Sequence, residues 1–222
     1  MLLIQSMKSI IFFDLDGTIS DPKIGITKAV QYALQSFGIH ISNTNDLCKF
    51  IGPPLWNSFK DFYGFDETKT KKAVEKYREY YTVKGIYENI LYDGMDAMLK
   101  KLKAQSKTLI VATSKPTITA QRVLEYFNLQ QYFTFVSGSE LNGERSDKKE
   151  IIQYAIEKNS IKNLSDCIMV GDRKHDIIGA NGARIDSIGV LYGYGNFDEL
   201  TEAGAKYIVK DITELSKLLC EY

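Results

Sequence analysis

The sequence predicts an α/β protein: a parallel β-sheet covered by helices, with a smaller helical domain inserted directly after the first strand. Three observations carry this reading. Short apolar runs of strand length recur along the chain, and helix-period segments lie between most of them. One stretch of about 70 residues near the start shows helical patterns and no convincing strand, too long for an ordinary connection between a strand and its helix. The expected division places residues 1–21 and 92–222 in the sheet-containing core and residues 22–91 in the inserted domain.

The opening Met1-Leu2-Leu3-Ile4-Gln5-Ser6 is apolar but too short for a signal core. It reads as a short tail, with Met7 an alternative start. The first strand is Ile10–Phe13, four apolar residues ending in Asp14-Leu15-Asp16-Gly17-Thr18. The inserted domain comes next, with helical spacing at Ile26, Val30, Ala33 and Phe37, at Leu55, Phe59, Phe62 and Tyr63, and at Ala73, Val74, Tyr77 and Tyr81. Further strands are expected at Leu109–Ala112, Phe133–Val136, Ile168–Val170, Ser187–Val190 and Tyr207–Val209. Helices are expected around Met95, Met98, Leu99 and Leu102, around Val123, Leu124 and Phe127, and around Ile151, Ile152, Ala155 and Ile156. No internal repeat or low-complexity tract interrupts the alternation.

Composition narrows the function. At 222 residues and 44% hydrophobic content the chain can bury a sizeable core. Basic and acidic residues balance at 28 each, so no global field draws nucleic acid or an anionic membrane. No stretch approaches the roughly 18 apolar residues of a membrane helix. Cys48, Cys167 and Cys220 are odd in number and far apart, which argues against a disulfide framework or a zinc site and for a reducing cytoplasm.

In open parallel sheets, ligands bind beyond the carboxyl ends of the strands. Residues two apart on an extended segment point the same way, so Asp14 and Asp16 present two carboxylates together at the end of the first strand. Two like charges so close call for a counter-charge, and a hard divalent cation supplies one. The plainer alternative is an acidic turn in which Gly17 bends the chain and Thr18 caps the next segment. Strand Leu109–Ala112 leads to Thr113-Ser114-Lys115-Pro116, which by itself reads first as a helix cap and second as a holder of phosphate oxygens. Strand Ile168–Val170 leads to Gly171-Asp172-Arg173-Lys174-His175-Asp176, two more carboxylates behind a turn-permitting glycine. Arg145-Ser146-Asp147-Lys148-Lys149-Glu150 opens a helix with basic residues, against the sense of the helix dipole.

Together, in this order, these segments resemble the four motifs of the haloacid dehalogenase-like hydrolases. Asp-x-Asp-Gly-Thr stands at residues 14–18, the motif-two Thr at Thr113, a helix-opening Lys at Lys148 and Gly-Asp-x-x-x-Asp at residues 171–176. The helical insert resembles the small cap of the phosphoglycolate phosphatase-like branch, as does the glycine-rich Gly189-Val190-Leu191-Tyr192-Gly193-Tyr194-Gly195. The departure lies at motif three, where that branch shows Lys-Pro-x-Pro; Lys149 and Arg145 therefore stand as rivals to Lys148. The resemblance implies a Rossmann-like core and an Mg²⁺-dependent phosphatase of small phosphorylated metabolites.

In that scheme Asp14 is the nucleophile, Asp16 the general acid and base, and Thr113 and Lys148 hold phosphoryl oxygens. Gly17, Thr18 and Ser114 line the phosphate site. Mg²⁺ is held by Asp14, the main-chain carbonyl of Asp16, Asp172 and, directly or through water, Asp176. Lys23 and Trp56 are the expected substrate contacts from the cap, although Trp56 reads first as cap core. Tyr63, Tyr77, Tyr80, Tyr81 and Tyr87 read as helical packing, with a few available to stack on a nucleobase. Phosphoglycolate is the substrate the branch implies; a nucleoside 5′-monophosphate is the runner-up, a pyrophosphate weaker, and a phosphomutase lacks any feature that shields an aspartyl phosphate from water. The alternative of another class is a non-catalytic binding module, against which the intact carboxylate cluster weighs. The chain is expected to be a monomer or dimer.

Overall fold

The computed structural model describes residues 8–220, so the expected tail Met1–Ser6 and the alternative start Met7 lie outside the described residues. The main sheet has six parallel strands in the order β5-β4-β1-β6-β7-β8: β1 (Ile10–Phe13), β4 (Thr108–Pro116), β5 (Phe135–Ser139), β6 (Cys167–Gly171), β7 (Asp186–Val190) and β8 (Tyr207–Val209). The helices are α1 (Lys23–Gln35), α2 (Leu55–Tyr63), α3 (Glu67–Tyr80), α4 (Met95–Ala104), α5 (Thr117–Tyr126), α6 (Lys148–Lys158), α7 (Lys174–Gly182), α8 (Phe197–Glu202) and α9 (Ile212–Cys220).

Strand β1 lies in the middle, with Ile10 opposite Thr108 on one side and Cys167 on the other. Successive side chains on a strand point to opposite faces, and both faces here are covered, which is why the central strands read as unbroken apolar runs. Ile11, Phe13, Val111 and Val170 bury one face with Leu99, Val123 and Leu215 from α4, α5 and α9. Phe12, Ile110, Ala112 and Met169 bury the other with Ile151, Ile152 and Ala180 from α6 and α7. At roughly 25 cal/mol per Å² of apolar surface, this two-sided burial is the main force holding β1 and the residues just beyond it.

Three details differ from the expectation. Strand β5 begins at Phe135, not Phe133. Phe133 closes a 3₁₀ turn through its N–H to Gln130 and uses its ring edge-on against Phe13, so it is apolar for packing while standing outside the ladder. Helix α1 stops before Phe37, whose ring packs on Phe65 at 5.0 Å. The stretch read as strandless ends in β3 (Ile90–Leu91), antiparallel to β2 (Ser20–Asp21) with Ser20 opposite Leu91. The chain thus leaves for α1–α3 and returns from them along two adjacent strands. Between them α1 and α3 bury Ala29, Val30 and Ala33 against Ala73, Val74 and Tyr77, and a π-helical turn, Tyr81–Gly85, ends α3.

Candidate active site

Beyond β1 the backbone keeps to the sheet for one more residue: the Asp14 N–H donates to the carbonyl of Val170 at 2.9 Å. The chain then turns at Gly17, whose φ of +87° favours glycine and where a Cβ would stand 2.3 Å from Asp172 Oδ2. This close approach joins the end of β1 to the loop after β6. Asp172 is fixed there by the Thr18 hydroxyl, which donates to Oδ1 at 3.0 Å, and by the Tyr194 N–H, which donates to Oδ2 at 2.8 Å. Gly193 lets the second donor approach, since a Cβ there would lie 2.4 Å from both Asp172 Cβ and the Gly17 carbonyl.

Helix α6 begins at Lys148, capped by Asp147, whose side chain accepts from the N–H groups of Lys149 and Glu150. The Lys148 ammonium is buried: it donates to Asp14 Oδ1 at 2.8 Å and to the Ala112 carbonyl at 3.0 Å, and lies 2.8 Å from Asp176 Oδ1. That last contact is an ion pair without hydrogen-bond alignment, and Asp176 Oδ1 closes no hydrogen bond. The two rivals point elsewhere. Lys149 is exposed and runs over Gly182, one residue and about 100° round the helix. Arg145 precedes the helix, donates to the Gly138 carbonyl at 3.0 Å, pairs with Glu140 and lies over the Tyr154 ring at 3.8 Å.

Asp14, Asp172 and Asp176 each bring a carboxylate oxygen within 4.8 Å of the others, all buried. Burial, then the neighbouring charges of Asp176 and Asp14, push the Asp172 carboxyl well above the usual range. Burial raises Asp176 to about 6 against the pull of Lys148. Three clustered buried carboxylates, only two of them paired with the Lys148 ammonium, and a buried oxygen left without a hydrogen bond form a donor set that fits a hard divalent cation such as Mg²⁺. The Asp16 carboxylate is not in this group; its expected contribution is the main-chain carbonyl.

Asp16 Oδ2 instead lies 2.6 Å from Lys115 Nζ, while Oδ1 is buried without a hydrogen-bond partner. Burial raises the Asp16 carboxyl, opposed by Lys115. Lys115 also donates to the Tyr81 hydroxyl at 2.9 Å. Sequence reasoning assigned Lys115 no role; its position two residues after Thr113 in an extended segment was the available signal. Thr113 is buried, and its hydroxyl accepts from the Lys115 N–H at 3.3 Å. The Ser114 hydroxyl donates to the Ser146 carbonyl at 3.3 Å.

A cleft of about 840 Å³, counting its open mouth, lies between these residues and the helical segment. Asp14, Asp16, Thr113, Ser114 and Lys115 line its floor, and Phe50, Trp56, Tyr77, Arg78 and Tyr81 line the wall. Trp56, read first as cap core, therefore stands in the cleft, with its indole against Gly143 across from α2. Lys23 opens α1, where its N–H donates to Asp21, and is not among the lining residues. His175 belongs to α7 and makes no contact that gives it a part in the site. Arg173 ties the loop after β6 to the helical segment, donating to the Ile51 carbonyl at 2.8 Å and to Glu199 at 2.9 Å.

A family model described as haloacid dehalogenase-like hydrolase matches residues 11–190. A 5′-nucleotidase of Pseudomonas aeruginosa is 41% identical over 209 residues, covering 94% of each chain. A phosphoglycolate phosphatase of Colwellia psychrerythraea is 29% identical over 216 residues, covering 94% of this chain and 95% of its own. Among solved structures, a predicted phosphatase from Clostridium acetobutylicum superposes with a TM-score of 0.95 at 46% identity, over 98% of this chain and 100% of that one.

Proposed function

The chain belongs to the haloacid dehalogenase-like hydrolases, and from that premise we propose that it is an Mg²⁺-dependent phosphatase that passes the phosphoryl group of a small monoester through Asp14 to water. The observation that carries the reading is the buried Asp14 carboxylate at the end of the central strand, held by Lys148 beside Asp172 and Asp176. Asp14 attacks phosphorus, the phosphorus–oxygen bond to the alcohol breaks, and Asp16 gives the departing oxygen a proton. Asp16 then takes a proton from the water that attacks the aspartyl phosphate, releasing phosphate and restoring Asp14. Lys148 offsets the charge of Asp14 so that an anionic nucleophile and an anionic phosphate can approach. Thr113, Ser114 and the turn at Gly17-Thr18 surround the phosphoryl oxygens. Asp14, Asp172, Asp176 and the Asp16 carbonyl would hold Mg²⁺, which supplies charge neutralisation at the transferring phosphoryl group.

Residues 22–91 serve in this reading as a cap that selects the alcohol. Four aromatic rings, Phe50, Trp56, Tyr77 and Tyr81, line its side of the cleft. That wall favours a nucleoside, whose base offers a flat face to stack, over phosphoglycolate, whose carboxylate calls for a free cation. Of the cations that line the cleft, Lys115 on its floor is already paired with Asp16, and Arg78 on the wall keeps its charge while one of its N–H groups donates to the Leu141 carbonyl at 2.6 Å, so the choice rests on the rings. The protein therefore reads as a nucleoside 5′-monophosphatase, working in a reducing compartment that suits its free cysteines. The test is phosphate release from nucleoside 5′-monophosphates and from phosphoglycolate, with Mg²⁺ and after chelation. A higher kcat/KM for the nucleotides supports the reading, a higher value for phosphoglycolate reverses the substrate choice, and release from neither overturns the proposal.

A further inference from the structure

The phosphoryl-transfer mechanism leaves the buried charge of Lys115 without work. Lys115 Nζ lies 2.6 Å from Asp16 Oδ2 and 2.9 Å from the Tyr81 hydroxyl, and 4.5 Å from the centre of the Tyr81 ring. The Lys115 and Asp16 side chains are only 5% and 10% exposed. A cation is costly to bury unless its partners are well placed, and here they come to the end of β4 from two other parts of the chain: the turn after β1 and the π-helical turn that follows α3.

The consequence falls on the two oxygens of Asp16. A carboxylate turns readily about its last torsion, whose preferences are broad, and nothing in an unrestrained side chain distinguishes one oxygen from the other. The ammonium distinguishes them. Oδ2 is held, whereas Oδ1 is buried without a hydrogen-bond partner in a residue that lines the cleft floor. The hold outlasts proton transfer, because the ammonium 2.6 Å away still faces the partial negative charge of Oδ2 when Oδ1 carries the proton.

We propose that Lys115, braced by Tyr81, is a positioning residue that reserves Asp16 Oδ1 for proton transfer to and from the reacting oxygens. The proposal rests on the reading of Asp16 as general acid and base. Tyr81 belongs to the helical segment and Lys115 to the core, so the brace on Lys115 is complete only while that segment is seated over the sheet.

The test compares two esters of similar size, 4-nitrophenyl phosphate and 4-nitrobenzyl phosphate, on the full-length protein with Mg²⁺. The phenolate leaves with little help, whereas the benzyl alkoxide needs a proton, and kcat/KM reports only the steps through transfer to Asp14. Asp16→Asn is the reference and should depress the benzyl ester about 100-fold more than the phenyl ester. Lys115→Met should shift the ratio in the same direction, by about 10-fold or more, with Lys115→Arg restoring part of it and Tyr81→Phe giving a smaller shift of the same sign. Tyr81→Phe keeps the ring in place, so it decides the matter if melting shows that Lys115→Met fails to fold. A shift in Asp16→Asn with none in Lys115→Met or Tyr81→Phe, including an equal loss on both esters, overturns the positioning role and leaves the acid–base reading intact. No shift in Asp16→Asn overturns the acid–base reading itself.

Discussion

Lys148 Nζ and Asp14 Oδ1 meet at 2.8 Å with their side chains 3% and 4% exposed, an ion pair that joins the first residue of α6 to the end of the central strand. Breaking it tests the placement of the third motif. Lys148→Met should lower kcat/KM by about 100-fold or more, as loss of a preorganised charged donor does. It should also destabilise the metal-free protein by about 3 kcal/mol, because Asp14 and Asp176 lose their shared cation. Lys149→Met should change neither quantity much. Arg145→Met should reduce stability, through its bonds to Gly138 and Glu140, without a comparable loss of rate. Kinetics on one substrate with parallel melts checks all three, and a large rate loss confined to Lys149 or Arg145 would place the motif elsewhere.

Asp14→Asn should abolish turnover, since an amide cannot form the acyl phosphate. The metal-free variant should melt no lower than the parent. Asp14 is one of three clustered buried carboxylates, and neutralising it relieves repulsion while Asp176 still faces Lys148. Turnover within tenfold of the parent would sink the nucleophile assignment.

Mg²⁺ should raise the melting temperature as well as support activity, because it binds only the folded carboxylate cluster. At 100 times its dissociation constant the gain is about 2.7 kcal/mol. Asp172→Asn should lose both responses. Ca²⁺ should stabilise yet inhibit, since its looser, higher coordination can draw Asp14 onto the metal and away from phosphorus. Full activity after exhaustive chelation would refute the metal site.

Gly193→Ala should impair the site while leaving the sheet folded. The added methyl would meet Asp172 and the Gly17 carbonyl at 2.4 Å, displacing the carboxylate on which two donors converge. The expected result is weakened Mg²⁺ stabilisation, read by calorimetry, with little change in far-ultraviolet circular dichroism. Parent-like Mg²⁺ affinity would show that the loop yields without moving Asp172.

Far from the site, partial burial pulls the Asp186 carboxyl upward, but hydrogen bonds from Lys206 and Lys8 hold it below the usual range. A carboxyl depressed in the folded state contributes stability above its unfolded pKa, near 3.9, and loses it as pH falls through the folded value. Asp186→Asn should therefore be less stable than the parent at pH 7, by about 1 kcal/mol or less, and converge with it near pH 3. Urea melts at the two pH values check this, and an equal gap at both would exclude the ionic origin.

The strand ends and the four motif segments were legible because each depends on local sequence: an apolar run, then a short polar segment carrying carboxylates, a hydroxyl or a glycine. What escaped depends on partners far along the chain. Lys115 looked like one polar residue in a segment that reads first as a helix cap, and only the fold brings Asp16 and Tyr81 to its ammonium. The β2–β3 pair is two residues long on each side, too short for any periodicity to register. Phe133 misled because a core-facing aromatic has the same composition signal whether or not its backbone is in the ladder. Which of Lys148, Lys149 and Arg145 reaches Asp14 depends on the start of α6, which the Asp147 cap fixes and hydrophobic spacing alone does not.

The central place of β1 has a consequence for how the protein is made. Strand β1 precedes the other strands of its sheet in the chain, and it can be completed on one side by β4 and on the other only when Cys167–Gly171 has emerged. Until then Ile10–Phe13 has an open edge, the kind that pairs with the wrong chain, and its long-range contacts cannot form. A nascent chain halted before Asp172 carries Asp14 and neither of the two carboxylates, Asp172 and Asp176, that complete the buried cluster. By the mechanism proposed above, fragments that stop short of β6 should need chaperone protection without ever hydrolysing a phosphate.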